Sequence, residues 1–360
     1  MPMKESEQNM RKILTDARNK GASEVHMAAD MPAVYRMPDG MLERQPMDAL
    51  AMDKVEALSL SLLSTAQQES FWKERDSDTS YFIEKVGNFR VNLSYNRGTV
   101  GASIRVLPPI PKTIRELYLP SMLEDIACIP KGLVLVTGGA SEGKSTTMAA
   151  MIQYLNMSAR DLTRGRLHII TIENPIEQTF ESHNALIRQR EIGRDVVSFP
   201  RAIAAATRED VDVIAIGEMR DSESAEAAIQ AAVRGQLVIS TAQAHSVDEV
   251  PSLVSRERRR SLAYALKAVV FQELLPCVKG GKVVCCQILV TTHGVANTIM
   301  GDEVHHKLSS HIAQHRPGNV TRMVDCAKAL REHRDETTGK EDPLISEDTF
   351  QSILERYKGH

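Results

Sequence analysis

The sequence predicts an α/β protein in two parts, a larger domain built on a parallel sheet and, before it, a smaller α+β domain. Three observations carry this. The length of 360 residues exceeds what one hydrophobic core usually supports. From Gly132 to Thr241, unbroken apolar runs alternate with helical stretches, the pattern of parallel strands covered on both faces. Between the two parts lies LPPIPKTIRELYLP, residues 107 to 120, where Pro108, Pro109, Pro111 and Pro120 fix their own backbone and push their predecessors to extended geometry. The expected division is a domain over 1–107, a linker over 108–120 and a domain over 121–360.

In the first domain a charged helix opens the chain, with Arg11, Lys12, Ile13 and Leu14 on an exposed amphipathic stretch. Glu24-Val25-His26-Met27 and Ala33-Val34-Tyr35-Arg36 read as short strands, and Pro38-Asp39-Gly40 marks a turn. One long helix is expected from about Asp53 to Glu74. Two further strands, Asn88 to Tyr95 and Gly101 to Val106, flank the turn Asn96-Arg97-Gly98. In the second domain the strands are Gly132 to Thr137, Leu167 to Ile172, Val211 to Ile216 and Leu237 to Thr241. The helices between them are Ser145 to Leu155, Pro200 to Arg208 and the alanine-rich Ser222 to Arg234. From about residue 250 to the end the chain reads as helical, with one more strand pair near Lys282 to Thr291.

Forty-four Lys and Arg against 47 Asp and Glu leave a formal charge of -3, so bulk electrostatics suggest no nucleic-acid or anionic-lipid partner. No apolar run approaches the roughly 20 residues of a membrane span, and MPMKESEQNMRKILTDARNK lacks the apolar centre of a signal peptide. Cys128, Cys277, Cys285, Cys286 and Cys326 have no metal-site spacing, and the Cys285-Cys286 pair in an apolar run reads as buried thiols. A cytoplasmic protein is expected. Arg256-Glu257-Arg258-Arg259-Arg260 lacks interleaved aromatics and reads as a solvated helix face or subunit contact. His305, His306, His311 and His315 lack a ligand framework and read as surface residues.

The chemistry sits in Gly138-Gly139-Ala140-Ser141-Glu142-Gly143-Lys144-Ser145, which fits G-x-x-x-x-G-K-[ST] between an apolar strand and a helix. Glycines let backbone N–H groups converge on phosphate oxygens, and the helix start adds partial positive charge. Lys144 is expected on the β- and γ-phosphates of ATP, the Ser145 hydroxyl on Mg²⁺, and Thr146 at the α-phosphate. Glu142 is an acid inside a loop built for anions, tolerable if its carboxylate points away. Hydrolysis also needs a group that places a water in line. The apolar strand running into Gly217-Glu218 presents its end to the same crevice as the loop, so Glu218 is the candidate. Gly217 stands where many P-loop enzymes carry a magnesium-linked aspartate, so Glu173, ending the strand Leu167 to Ile172, is expected near the metal instead.

Taken together these segments resemble the secretion ATPases of type II and type IV systems, most closely the pilus-retraction (PilT-like) branch. In the first domain GASEVHM, GNFRVNLSYNRG and IRVLPPIP carry the likeness. In the second, the Walker A loop, TIENPIE, IRQREIG, SFPRAIAAATRED, VDVIAIGEMRD and GQLVISTAQAHS follow in family order. The resemblance implies a homo-hexamer of a PAS-like domain joined to a RecA-like P-loop ATPase domain, working on a pilus platform or secretion channel at the inner membrane. It implies Glu218 as catalytic base, and Arg90, Arg97 and Arg105 as arginines that approach the nucleotide, where a guanidinium can grip γ-phosphate with two bonds. Arg208 and Gln243, inside matching motifs, are further candidates.

The sequence also departs from that pattern. Asn174 replaces an aspartate, Gln236 and Gln243 replace two histidines, with His245 displaced nearby, and Gln272-Glu273-Leu274 replaces a glutamine-arginine-leucine run. Glutamine hydrogen-bonds but neither carries charge nor shuttles protons. The expectation is therefore a pilus motor ATPase; the alternatives are the energising ATPase of a type IV secretion or conjugation apparatus (DotB/TraJ-like), or a nucleotide-binding ring subunit with little turnover acting as a regulatory scaffold.

Overall fold

A computed structural model describes residues 5–108, 110–158, 167–301, 308–313, 319–335 and 339–357; His305, His306 and His315 lie outside them. The chain opens with α1 (Glu5–Asn19), whose Met10, Leu14 and Ala17 recur at helical spacing and are buried. Then come β1 (Glu24–Met27), β2 (Val34–Arg36), β3 (Leu42–Arg44), α2 (Met52–Leu60), α3 (Thr65–Glu74), β4 (Asp76–Ile83), β5 (Gly87–Asn96) and β6 (Thr99–Val106). The strands form one sheet in the order β3-β2-β1-β6-β5-β4, with every neighbouring pair antiparallel. Its core gathers Met10, Leu14, Tyr35, Phe71, Phe89 and Ile104.

Two expectations need correction here. The helix expected from Asp53 to Glu74 is two helices, because Ser64 starts α3 with a capping box in which it and Gln67 satisfy each other's backbone N–H groups. The strand β4 was not anticipated: DSDTSYFI is half polar, yet it zips onto β5 in full register from Asp76 opposite Ser94 to Ile83 opposite Gly87.

The later elements are α4 (Met122–Ala127), β7 (Gly132–Gly138), α5 (Lys144–Met157), β8 (His168–Glu173), β9 (Leu186–Glu191), α6 (Phe199–Ala206), β10 (Val213–Met219), α7 (Ser222–Arg234) and β11 (Leu237–Gln243). After them come α8 (Arg259–Ala265), β12 (Leu266–Pro276), β13 (Lys282–Val290), α9 (His293–Met300), α10 (Leu308–Ala313), β14 (Val320–Thr321), α11 (Met323–Arg331) and α12 (Glu347–Arg356). The sheet order is β14-β13-β12-β7-β11-β10-β8-β9. Its parallel centre, β12-β7-β11-β10-β8, is the α/β arrangement the sequence predicted. Strand β7 lies between β11 and β12 and is buried along its whole length, which explains its unbroken apolar sequence.

The second half holds one large miss. Residues 266–276 were expected to be helical, and LKAVVFQELLP does carry the helix formers Leu, Lys, Gln and Glu. Pairing decides otherwise: β12 runs parallel to β7 on one side and antiparallel to β13 on the other. Arg256 to Arg258 form a 3-10 turn leading into α8, and Arg258 pairs with Glu226 of α7.

The chain divides into two compact units that do not follow chain order. The first holds Met1–Pro111 with Glu173–Phe180 and Gln189–Ser198; the second holds Lys112–Ile172, Glu181–Arg188 and Phe199–His360. In the first unit Glu191 is a buried carboxylate that accepts from Thr79 Oγ1 at 2.6 Å, Ser80 N at 3.1 Å and Ile176 N at 3.0 Å. Among the described residues no helix is long and apolar enough to cross a membrane.

Candidate functional site

Strand β7 delivers the chain into the loop at Gly138, whose φ of +150° and whose closeness to β12 both demand glycine: a Cβ there would lie 2.4 Å from the Gln272 carbonyl oxygen. At the other end Gly143 caps α5 in the left-handed conformation, φ +77°, and no side chain caps the helix. The first amides of α5 are therefore open to an anion, on the positive end of the helix dipole. Ser145 and Thr146 occupy that first turn, half-buried. Ala140 and Ser141 form the exposed crest of the loop, with Ser141 at φ +61°.

Lys144 is buried, and its ammonium donates to the carbonyls of Gly138 at 3.1 Å and Gly139 at 2.6 Å. Burial lowers its pKa below the usual lysine value, opposed in part by the carboxylates of Glu218 and Glu142. Glu142 turns away from the loop interior: its carboxylate accepts the Leu274 N–H, and its carbonyl accepts from Gln272 Nε2 at 2.6 Å.

Strand β11 lies between β7 and β10, so one strand separates the loop from Glu218. The ladder between β10 and β11 shifts register between Ile216 and Met219, a bulge that re-aims Gly217 and Glu218. Ser240 Oγ donates to the Ile216 carbonyl at 3.1 Å and Thr241 Oγ1 to that of Gly217, satisfying acceptors beside the bulge. Glu218 then accepts from Arg220 Nε at 2.6 Å and from Gln243 Nε2 at 3.1 Å. Gln243 stands opposite Gly138 in the β11–β7 register, so it links the start of the phosphate loop to the carboxylate.

The two glutamines singled out in the sequence part company here. Gln236 precedes β11, and its carbonyl accepts the N–H of Gly132, at the far end of β7 from the loop. A strand's length therefore separates it from Gln243. His245 is exposed, its N–H held by Glu249 at 2.7 Å.

The other candidates lie elsewhere. Glu173 ends β8 as a buried residue of the first unit, and its Oε1 accepts from Gln189 Nε2 at 3.2 Å. Arg90, on β5, grips Asp78 at 2.7 Å and Glu177 at 2.8 Å, and the Asp78 hydrogen bond leads in raising its pKa. Arg105, on β6, pairs with Glu24 at 3.3 Å, and Arg97 sits in the β5–β6 turn at φ +54°. Arg208 is exposed after α6. Among the described residues no group of three or more His, Cys, Asp or Glu is arranged to hold a metal. Sequence reasoning missed Arg220 and the bracing role of Gln272; a glutamine inside an apolar run, fully buried at 0% exposure, was the available signal for the second.

Comparison with known proteins fits this geometry. Residues 4–338 match the family described as type II/IV secretion system protein. The type IV pilus retractation ATPase PilT of Pseudomonas aeruginosa is 36% identical over 307 residues, covering 83% of this chain and 87% of that protein. A crystal structure of the pilus retraction motor PilT with bound ADP superposes with a TM-score of 0.79 at 30% identity, covering 95% of this chain and 96% of that one. The Legionella pneumophila ATPase DotB shares the fold, with a TM-score of 0.83 at 24% identity over 99% of this chain and 98% of that one. The fold is thus RecA-like in the P-loop part, with a smaller α+β part beside it in sequence, and the chain belongs to the type II/IV secretion system protein family.

Proposed function

We propose that this chain is a motor ATPase that hydrolyses ATP to drive a type IV pilus or a related secretion assembly. It would work as a homo-hexamer on the cytoplasmic face of the inner membrane, against platform or channel proteins. The observation that carries the reading is the bond from Gln243 to Glu218: a carboxylate held one strand away from a loop whose lysine, glycines and uncapped helix suit a triphosphate.

In this reading Lys144 leaves the carbonyls of Gly138 and Gly139 to neutralise β- and γ-phosphate oxygens, while the α5 amides take the remaining charge. Glu218 orients a water and accepts its proton as the water oxygen bonds to the γ-phosphorus and the bond to the ADP oxygen breaks. The Ser145 hydroxyl would hold Mg²⁺ directly and Glu173 through a water; the ion supplies charge neutralisation of the phosphates. Arg90 and Arg105 would approach nucleotide once freed from Asp78, Glu177 and Glu24, and Arg97 would do so from the β5–β6 turn.

One observation favours a second reading, a ring subunit that binds ATP and barely turns over. The Arg220 ion pair at 2.6 Å occupies the carboxylate that should receive the proton. Mg-dependent hydrolysis by the purified chain, with its mass, separates the two. The motor reading expects turnover in a hexamer, lost in Lys144→Ala and in Glu218→Gln, with ATP binding retained in Glu218→Gln. Binding without turnover in the wild type would sink it.

A further inference from the structure

Residues 272–274 of β12 face two ways. Strand alternation sends Gln272 and Leu274 to one side and Glu273 to the other. On the first side Gln272 Nε2 donates to the Glu142 carbonyl at 2.6 Å, and the Leu274 N–H donates to the Glu142 carboxylate. The Leu274 side chain also packs so near the loop that a Cβ on Gly143 would lie 3.6 Å from it. On the second side Glu273 Oε2 accepts from Arg356 at 2.9 Å, and its Oε1 accepts from the Tyr357 hydroxyl. Arg356 ends α12 and Tyr357 follows it.

Gln272 is fully buried and the Glu273 side chain is 21% exposed, while Arg356 is half exposed. The bonds to Glu142 and the Tyr357 bond are thus partly shielded from water, and a donor or acceptor left alone there is costly. Both anchors of Glu142, backbone and side chain, therefore come from one three-residue strip. The middle residue of that strip, Glu273, is held by the end of α12.

We propose that residues 272–274 couple α12 to the phosphate loop, with Glu142 as the positioning residue that receives the coupling. The proposal rests on the loop being the nucleotide site. Admitting phosphates requires Lys144 to leave the Gly138 and Gly139 carbonyls while the loop keeps its amides turned inward. A loop pinned at Glu142 can do the first without losing the second. Coupling between sites is reciprocal, so ATP should tighten α12 and a loosened α12 should weaken ATP.

The test uses the full chain, ATP titrated by calorimetry, and hydrogen exchange of the amides of residues 347–357. ATP should slow exchange across α12 in the wild type. Glu142→Ala should weaken ATP about tenfold, the worth of one charge-assisted hydrogen bond, and remove the exchange response. Glu142→Gln keeps an acceptor for the Leu274 N–H and should keep most of both, a rescue that general loss of structure would not give. Should Glu142→Ala fail to fold, Arg356→Met combined with Tyr357→Phe leaves the loop untouched and should also weaken ATP. Wild type that binds ATP without a change in α12, or either variant at wild-type affinity, overturns the proposal and leaves the nucleotide site standing. Wild type that binds no ATP overturns both.

Discussion

The side-chain amide of Gln243 donates to Glu218 Oε1 at 3.1 Å, from the strand that separates β10 from the phosphate loop. A neutral donor holds the carboxylate in place and cannot titrate. With Glu218 as the proposed base, Gln243→Ala should lower kcat about tenfold and leave KM nearly unchanged, because the bond would orient the reacting group without touching the phosphates. Gln243→His should add a limb to the pH profile of kcat at or above about 6.5, since a neighbouring carboxylate favours the charged imidazole. Steady-state rates between pH 5.5 and 8.5 check this. A histidine variant with the wild-type profile would show that the Gln243 contact is broken during turnover.

Lys144 supplies a prediction about stability. Its folded pKa lies below the ordinary 10.5, with burial the leading cause, so the charged form is penalised on folding. The penalty is complete below the folded value and fades as pH rises from that value toward 10.5. Lys144→Met removes it while deleting the proposed phosphate contact. The nucleotide-free variant should melt at the wild-type temperature or up to about 2 °C higher, and should bind no ATP. A clear fall in Tm at pH 7 would mean that the bonds to Gly138 and Gly139 outweigh the burial cost.

Glu191 is a structural carboxylate, and its loss should be severe. It is 1% exposed and satisfies three donors, of Thr79, Ser80 and Ile176. Glu191→Ala leaves all three buried without an acceptor and opens a cavity, at a cost of about 3–5 kcal/mol. Glu191→Gln keeps one acceptor oxygen, enough for Thr79 and Ser80 but not for Ile176, and should lose roughly half as much. Urea denaturation of both variants measures this, and a cost below about 1 kcal/mol for Glu191→Ala would mean that water replaces the carboxylate.

The parts legible in sequence were those whose chemistry is local. The phosphate loop needs its glycines, lysine and serine in one short run, and the strand and helix around it follow from apolar runs of the right length. Glu218 was legible as a strand-end acid, but its bonds to Arg220 and Gln243 depend on the bulge after Ile216, whose one mark in the sequence is Gly217 inside the strand. Strand β12 was misread because a short run with helix-forming residues is ambiguous until its neighbours β7 and β13 are known. The pairing of Arg90 with Glu177 joins residues far apart in the chain, so no spacing rule could have found it. The split between α2 and α3 was legible and missed: Ser64-Thr65-Ala66-Gln67 fits a capping box in plain sequence.

The cysteines give the last prediction. Cys285 and Cys286 are successive residues of β13, both fully buried, and Cys326 of α11 lies against them. The Cys286 N–H donates to Cys326 Sγ at 3.3 Å, and Cys285 Sγ donates to the Met323 carbonyl at 3.5 Å. A thiol reacts as its thiolate, and the hydrogen bond with Cys326, together with burial, pushes the thiols of Cys285 and Cys286 well above the usual 9.0. Ionisation therefore opposes reaction at Cys285 and Cys286, whereas the bonds Cys326 receives from those two thiols lower its own pKa, so burial alone protects it. With an aromatic disulfide reagent at pH 8, the half-buried Cys128 and Cys277 should be modified in the native chain, and Cys285, Cys286 and Cys326 only as fast as it unfolds. In denaturant all five should react at once. Rapid native labelling of Cys326 alone would mean that α11 lifts from β13 without global unfolding, and would make that helix a locally opening element of the second unit.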